Sequence, residues 1–138
     1  MAEQSVSPEV SDEERAKWVR EQFQKSNKFL AEHGVIFDSV ATEESRYLMP
    51  YIAIWKIKAI DGKKYWVISG DLPTDFTLET NAKDVREVLR YFSMHWQLKA
   101  ENLLHAGGTD ESQKAFAELL IKRAESLFSM QSASELWK

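Results

Sequence analysis

No cysteine occurs anywhere in the chain, and only three prolines and five glycines punctuate it. The first absence excludes disulfides, thiolate metal ligands and a cysteine nucleophile, and it fits a reducing, cytoplasmic setting. No run of Lys or Arg is long enough to track phosphates, and the formal charge is -4, which argues against a nucleic-acid partner. No apolar run approaches the roughly 18 residues that span a bilayer, so a membrane partner is not expected. Met1 to Val10 lacks a basic region followed by an apolar run, so it does not read as a secretory leader. His33, His95 and His105 are scattered, with no pair at i, i+4 and no H-E-x-x-H setting, so no metal site is expected. Neither a G-x-S-x-G elbow nor a phosphate loop ending in Lys is present, and no cofactor is implied.

What the chain does contain is the composition of one folded domain: 138 residues, 43% hydrophobic and 29% charged. Residues 1-10 are polar, carry Pro8 and lack periodicity, which predicts a flexible N-terminal tail, with a single domain over 11-138. Ser11 opens S-x-x-E with Glu14, a capping box. Val19, Phe23, Ser26 and Leu30 then recur at helical spacing, with Trp18, Gln22 and Phe29 widening the stripe. Gly34 stops the helix, which runs from about Asp12 to His33.

Val35 to Thr42 is rich in β-branched residues and reads as a strand. Thr42 to Met49 ends at Pro50 and reads as a loop or frayed edge. Asp61-Gly62 predicts a two-residue type I′ hairpin turn. Pairing Ile60 with Lys63 sets Ile57 opposite Trp66 and Trp55 opposite Ile68, all on one face, with Lys58 facing Tyr65 and Lys56 facing Val67. A polar connection follows Leu72-Pro73, with Thr80 or Asn81 as cap of a second helix from about Ala82 to Leu104. Its stripe is Val85, Val88, Leu89, Phe92, Trp96, Ala100 and Leu103. Gly107-Gly108 breaks it, and Thr109 or Asp110 caps a third helix with Phe116, Leu119, Leu120, Arg123, Leu127 and Met130 inward. Trp18, Trp55, Trp66 and Trp96 fall on inner faces, while Trp137 has no predicted place in the core. The pattern predicts an α+β fold, a small antiparallel sheet of about three strands packed with three helices.

The string W-V-I-S-G-D-L-P-T-D at Trp66 to Asp75, R-Y-F-S-M-H-W-Q-L-K-A-E-N-L at Arg90 to Leu103 and E-E-S-R-Y-L at Glu43 to Leu48 resemble one family. It is a family of short proteobacterial proteins described only as a domain of unknown function, similar over Trp18 to about Leu104. The resemblance implies a bacterial cytosolic origin and a shared fold, and it carries no catalytic residues.

Chemistry must therefore be sought in the residues. Hydrophobic alternation stops at Gly70, and Asp71 and Asp75 follow with Pro73 between them. With Glu43 and Glu44 they could form a carboxylate cluster for magnesium or acid-base work, although each is also an ordinary turn or cap residue, the reading that weighs more. His95 lies beside the inner stripe of the second helix with Tyr91 and Leu98, where a helical histidine is most often a packing residue. Two functions are in view. A non-enzymatic binding or adaptor domain, for a protein partner or a small ligand, spends its aromatics on core and needs an exposed apolar patch. A small hydrolase or ligand-binding enzyme needs Arg46, Asp71, Asp75 and His95 to converge on one cleft. The third helix carries Ile121 and Phe128 turned away from its inner residues, which predicts a homodimer through that helix.

Overall fold

The computed structural model describes residues 11–48, 51–106 and 110–137. The predicted tail at 1-10, Met49 and Pro50 of the predicted frayed edge, the Gly107-Gly108 stop and the Thr109 cap lie outside the described residues. Among the described residues, three α-helices and five short strands make an α+β fold with a small antiparallel sheet. The chain divides into two compact units, the first ending at Phe76 and the second beginning at Thr77.

The first unit opens with α1, Asp12–Glu32. Ser11 and Glu14 form the reciprocal capping box that the sequence requires, with Ser11 Oγ accepting from the Glu14 N–H at 3.1 Å. The helix ends at His33, and Gly34 takes a φ of 81°, the left-handed conformation that closes a helix. Four strands follow: β1 (Phe37–Val40), β2 (Arg46–Leu48), β3 (Ile52–Ala59) and β4 (Lys64–Gly70). A fifth, β5 (Asp75–Leu78), starts in this unit, and the sheet order is β1-β3-β4-β5.

Two strands share one edge of β3. β1 pairs with its end near Ala59 and Ile57, and β2 pairs with Ile54 to Ile52. The stretch predicted as a loop or frayed edge is, over Thr42 to Leu48, a tight helical turn, Thr42–Glu44, followed by a three-residue edge strand. At the changeover Ala41 N–H donates to the Lys56 carbonyl at 2.9 Å. Ser45 Oγ donates to the Ala41 carbonyl at 2.8 Å and accepts from the Lys56 N–H at 3.1 Å. A side-chain hydroxyl thereby serves the backbone donor left over between the two ladders.

The hairpin register differs from the predicted one by a single residue. Ile57 lies opposite Tyr65, Lys56 opposite Trp66, Trp55 opposite Val67 and Ile54 opposite Ile68. The cause is in the turn: Gly62 N–H donates to the Ala59 carbonyl, Asp61 Oδ1 accepts from the Lys63 N–H, and Gly62 takes φ 88°. This is a three-residue loop with glycine at the left-handed position, not a two-residue one. The slip sends Trp55 and Trp66 to opposite faces of the sheet. Trp55, Ile57, Tyr65 and Val67 join Leu30 and Val35 in a core lined by Trp18, Val19 and Phe23 of α1. Ile52, Ile54, Trp66 and Ile68 are buried on the other face. Both faces are buried over Ile52 to Trp55 and Tyr65 to Ile68, so those stretches read as continuous apolar runs.

In the second unit the predicted polar connection after Pro73 is replaced by β5 and a tight turn at Glu79–Asn81. Because that turn uses Thr80 and Asn81, neither caps the next helix, and α2 runs Val85–Ala106. Asp84 caps it, accepting from the Glu87 N–H at 2.9 Å, while Glu87 reaches back to the Lys83 N–H at 2.9 Å. Asp110 caps α3, Glu111–Ser132. The inner face of α3 is Ala117, Leu120, Ala124 and Leu127, whereas Phe116 and Leu119 of the predicted face are exposed. Two alanines let the helices approach closely, and alanine gives a weak signal in a hydrophobicity pattern. Arg86 Nε donates to the Gln131 carbonyl at 2.9 Å and Trp137 Nε1 to the Met130 carbonyl at 3.0 Å, closing the C-terminal end of α3. Trp137, which has no place in the predicted core, is therefore a helix-closing residue.

The absence of native cysteine makes the register directly testable. Lys58→Cys with Lys64→Cys should oxidise to an intramolecular disulfide, because directly paired residues have the required Cα separation. Lys58→Cys with Tyr65→Cys, the pair of the two-residue turn, should retain free thiols in a thiol count.

Candidate functional site

The four residues nominated from the sequence lie in both units. Arg46 begins β2 on the rung of Ile54 and Ile68, half-buried. Asp71 is exposed just past β4, and its N–H donates to the Tyr51 carbonyl at 2.9 Å. Asp75 begins β5, half-buried, and its Oδ1 accepts from the Phe76 N–H at 2.8 Å. At the turn that joins β4 to β5, Asp75 thus engages the backbone through its carboxylate and Asp71 through its own N–H. His95 belongs to the second unit, is exposed on α2, and stacks on Tyr91 with 5.5 Å between ring centroids and 13° between planes.

The corner at the end of β4 is built tightly. Ser26 Oγ of α1 donates to Ser69 Oγ at 3.3 Å, and Lys25 Nζ reaches the Gly70 carbonyl at 3.4 Å. Gly70 has φ 132°, and a Cβ there would run into the Tyr51 carbonyl and the Ile52 Cα. Glycine stands in the motif because another strand's backbone occupies the space of a side chain.

A second constellation, which sequence reasoning missed, lies where β1 gives way to β2 beside the hairpin. Lys56 Nζ contacts Glu44 Oε1 at 2.7 Å and lies 5.2 Å from the centre of the Trp66 ring. Its side chain is only 13% exposed, so a cation is held against an aromatic face by one carboxylate. The hydrogen bond from Lys56 holds the Glu44 carboxyl below the usual carboxylate range, aided by the charges of Lys56 and Lys64. Ser39, Glu43, Glu44, Lys56, Lys58 and Lys64 line a recess of about 290 Å³. The available signal was W-K-I-K: lysines at alternate positions of a strand otherwise apolar. Among the described residues no group of three or more His, Asp or Glu is placed to hold a metal ion.

A family model described as Domain of unknown function (DUF4826) matches residues 12–137. The chain belongs to that family. The match extends through α3, past the Trp18 to Leu104 span on which the resemblance was seen. No curated protein and no solved structure matches the chain. Among the described residues no helix is long and apolar enough to cross a membrane.

Two predictions follow from these sites. Gly70→Ala should lower stability by roughly 1–3 kcal/mol, the range for a forced backbone conformation. Gly34→Ala, at φ 81° with open space around it, should cost less, as measured by urea midpoints of the two variants. For Glu44, whose folded pKa is lowered, the stabilisation is present above the unfolded carboxylate pKa and is lost as pH falls through the folded one. The melting temperatures of wild type and Glu44→Gln should therefore differ at neutral pH and converge on acidification.

Proposed function

We propose that this chain is a non-enzymatic binding domain that pairs with a second copy of itself through α3, in a bacterial cytosolic setting. The observation that carries the reading is the state of the helical pair in the second unit. Its inner stripes are complete, with Val88, Leu89, Phe92, Trp96 and Ala100 of α2 and Ala117, Leu120, Ala124 and Leu127 of α3 buried. Phe128 nevertheless remains 54% exposed, with Ile121 half-buried two turns earlier on the same side of α3. A two-fold axis beside these residues would set each Phe128 against its own copy, so one apolar strip supplies both halves of the interface. Met94 and Leu98, exposed on α2, add a further apolar surface for a partner.

Two of the residues nominated for a binding cleft have local partners. The Asp75 carboxylate bonds a backbone donor, and the ring of the exposed His95 rests on Tyr91.

Light scattering at micromolar concentration tests the pairing. The expected mass is near twice 16.0 kDa, falling to 16.0 kDa in Phe128→Glu. A wild-type mass of 16.0 kDa that does not rise with concentration would reject it.

A further inference from the structure

The β3–β4 hairpin places Lys58 directly opposite Lys64, both exposed. Like charges in that position destabilise a strand pair. On the same face, two residues along, lies Lys56. Its charge is matched by Glu44 at 2.7 Å and by the Trp66 ring, whereas Lys58 and Lys64 form no ion pair among the described residues. All three lysines line the recess of about 290 Å³, together with Ser39 of β1 and Glu43. That volume is at the small end of the range for ligand sites.

We propose that this recess binds a small phosphate monoester that carries hydroxyl groups. Lys58 and Lys64, at directly paired strand positions, supply two positive charges, which a phosphate dianion would match. Ser39 adds a neutral donor to a phosphate oxygen. Glu43, exposed and also lining the recess, repels a bare anion but accepts hydrogen bonds from hydroxyls on the organic part, which sets the ester apart from inorganic phosphate. Lys56 and Glu44 form the fixed wall: the ion pair and the aromatic contact hold the lysine stem, and Ser45 ties the turn to the strand behind it. A bound anion would also offset the repulsion between the like charges at the paired positions of Lys58 and Lys64. The site lies wholly within the first unit and does not depend on pairing through α3.

The test is a titration of the full chain, labelled for amide NMR, with glycerol phosphate at constant ionic strength, beside inorganic phosphate. The proposal requires saturable shifts confined to Ser39 to Glu44, Lys56 to Lys58 and Lys64, with glycerol phosphate binding more tightly than inorganic phosphate. Lys64→Gln should weaken the affinity by about tenfold or more. Lys64→Glu, which puts a negative charge where the phosphate would sit, should abolish the stabilisation by glycerol phosphate. The proposal is overturned by shifts that do not saturate, by equal affinity for the two phosphates, or by a response that survives either substitution. A dimer that dissociates or never forms leaves these outcomes unchanged, so this inference and the pairing fail separately.

Discussion

Strand β3 bonds to neighbours on both edges and buries side chains on both faces, and the first unit depends on how its outer edge is shared. A single edge strand could run the length of β3 with an unbroken ladder. Here β1 serves one end and β2 the other, so the backbone between them must leave the sheet and return. Leaving it strands a donor at Lys56, and an unpaired buried donor costs about 1–3 kcal/mol. Ser45 removes that cost with one hydroxyl, accepting from Lys56 while donating to Ala41. The same excursion carries Glu44 to the Lys56 side chain, so a backbone necessity also builds the wall of the lysine-lined recess.

Burial on both faces explains the distribution of aromatics. Trp55 meets Phe23 of α1 edge-on at 5.1 Å and Tyr47 of β2 at 5.1 Å, on the face that α1 covers. Trp66 points the other way and is 1% exposed. Full burial of each such side chain is worth several kcal/mol, and a sheet with one wet face could not collect it twice. The second unit solves a smaller problem, the closure of an antiparallel helix pair. Arg86 from the start of α2 and Trp137 beyond α3 supply donors to the last carbonyls of α3, where a cation also suits the helix dipole.

Much of this was legible in the residues, and the failures share a cause. Capping chemistry located α1 within a residue because Ser11 and Glu14 act only on their neighbours. The second helix was started too early because Thr80 and Asn81 are good caps in isolation, and only Asp84 also has Glu87 three residues on. Asp61-Gly62 marked the hairpin correctly but not its loop length, since a glycine with positive φ suits both the two-residue and three-residue turns. The uninterrupted run Ile52 to Trp55 was the signal against a one-faced sheet, as a half-exposed strand would alternate. β2 and β5 are too short, at three and four residues, to show a period. For the recess only the alternate lysines of W-K-I-K give a sequence signal, because Ser39, Glu44 and Lys64 become neighbours only through the strand pairing.

The apparent motif S-G-D-L-P-T-D is, in this structure, first a corner: Ser69 bonds Ser26, Gly70 admits the Tyr51 backbone, and Asp75 holds the start of β5. The lysines that stand apart from it, on the face beside Glu44, carry the stronger suggestion of a ligand. Both rest on β3 keeping two partners on one edge. Amide hydrogen exchange in Ser45→Ala tests that dependence most directly, because the hydroxyl is the acceptor of the Lys56 N–H. Protection should fall at Lys56 and along Arg46 to Leu48, while the β3–β4 ladder from Trp55 to Val67 stays protected. A Lys56 amide as slow to exchange in the variant as in wild type would contradict the account.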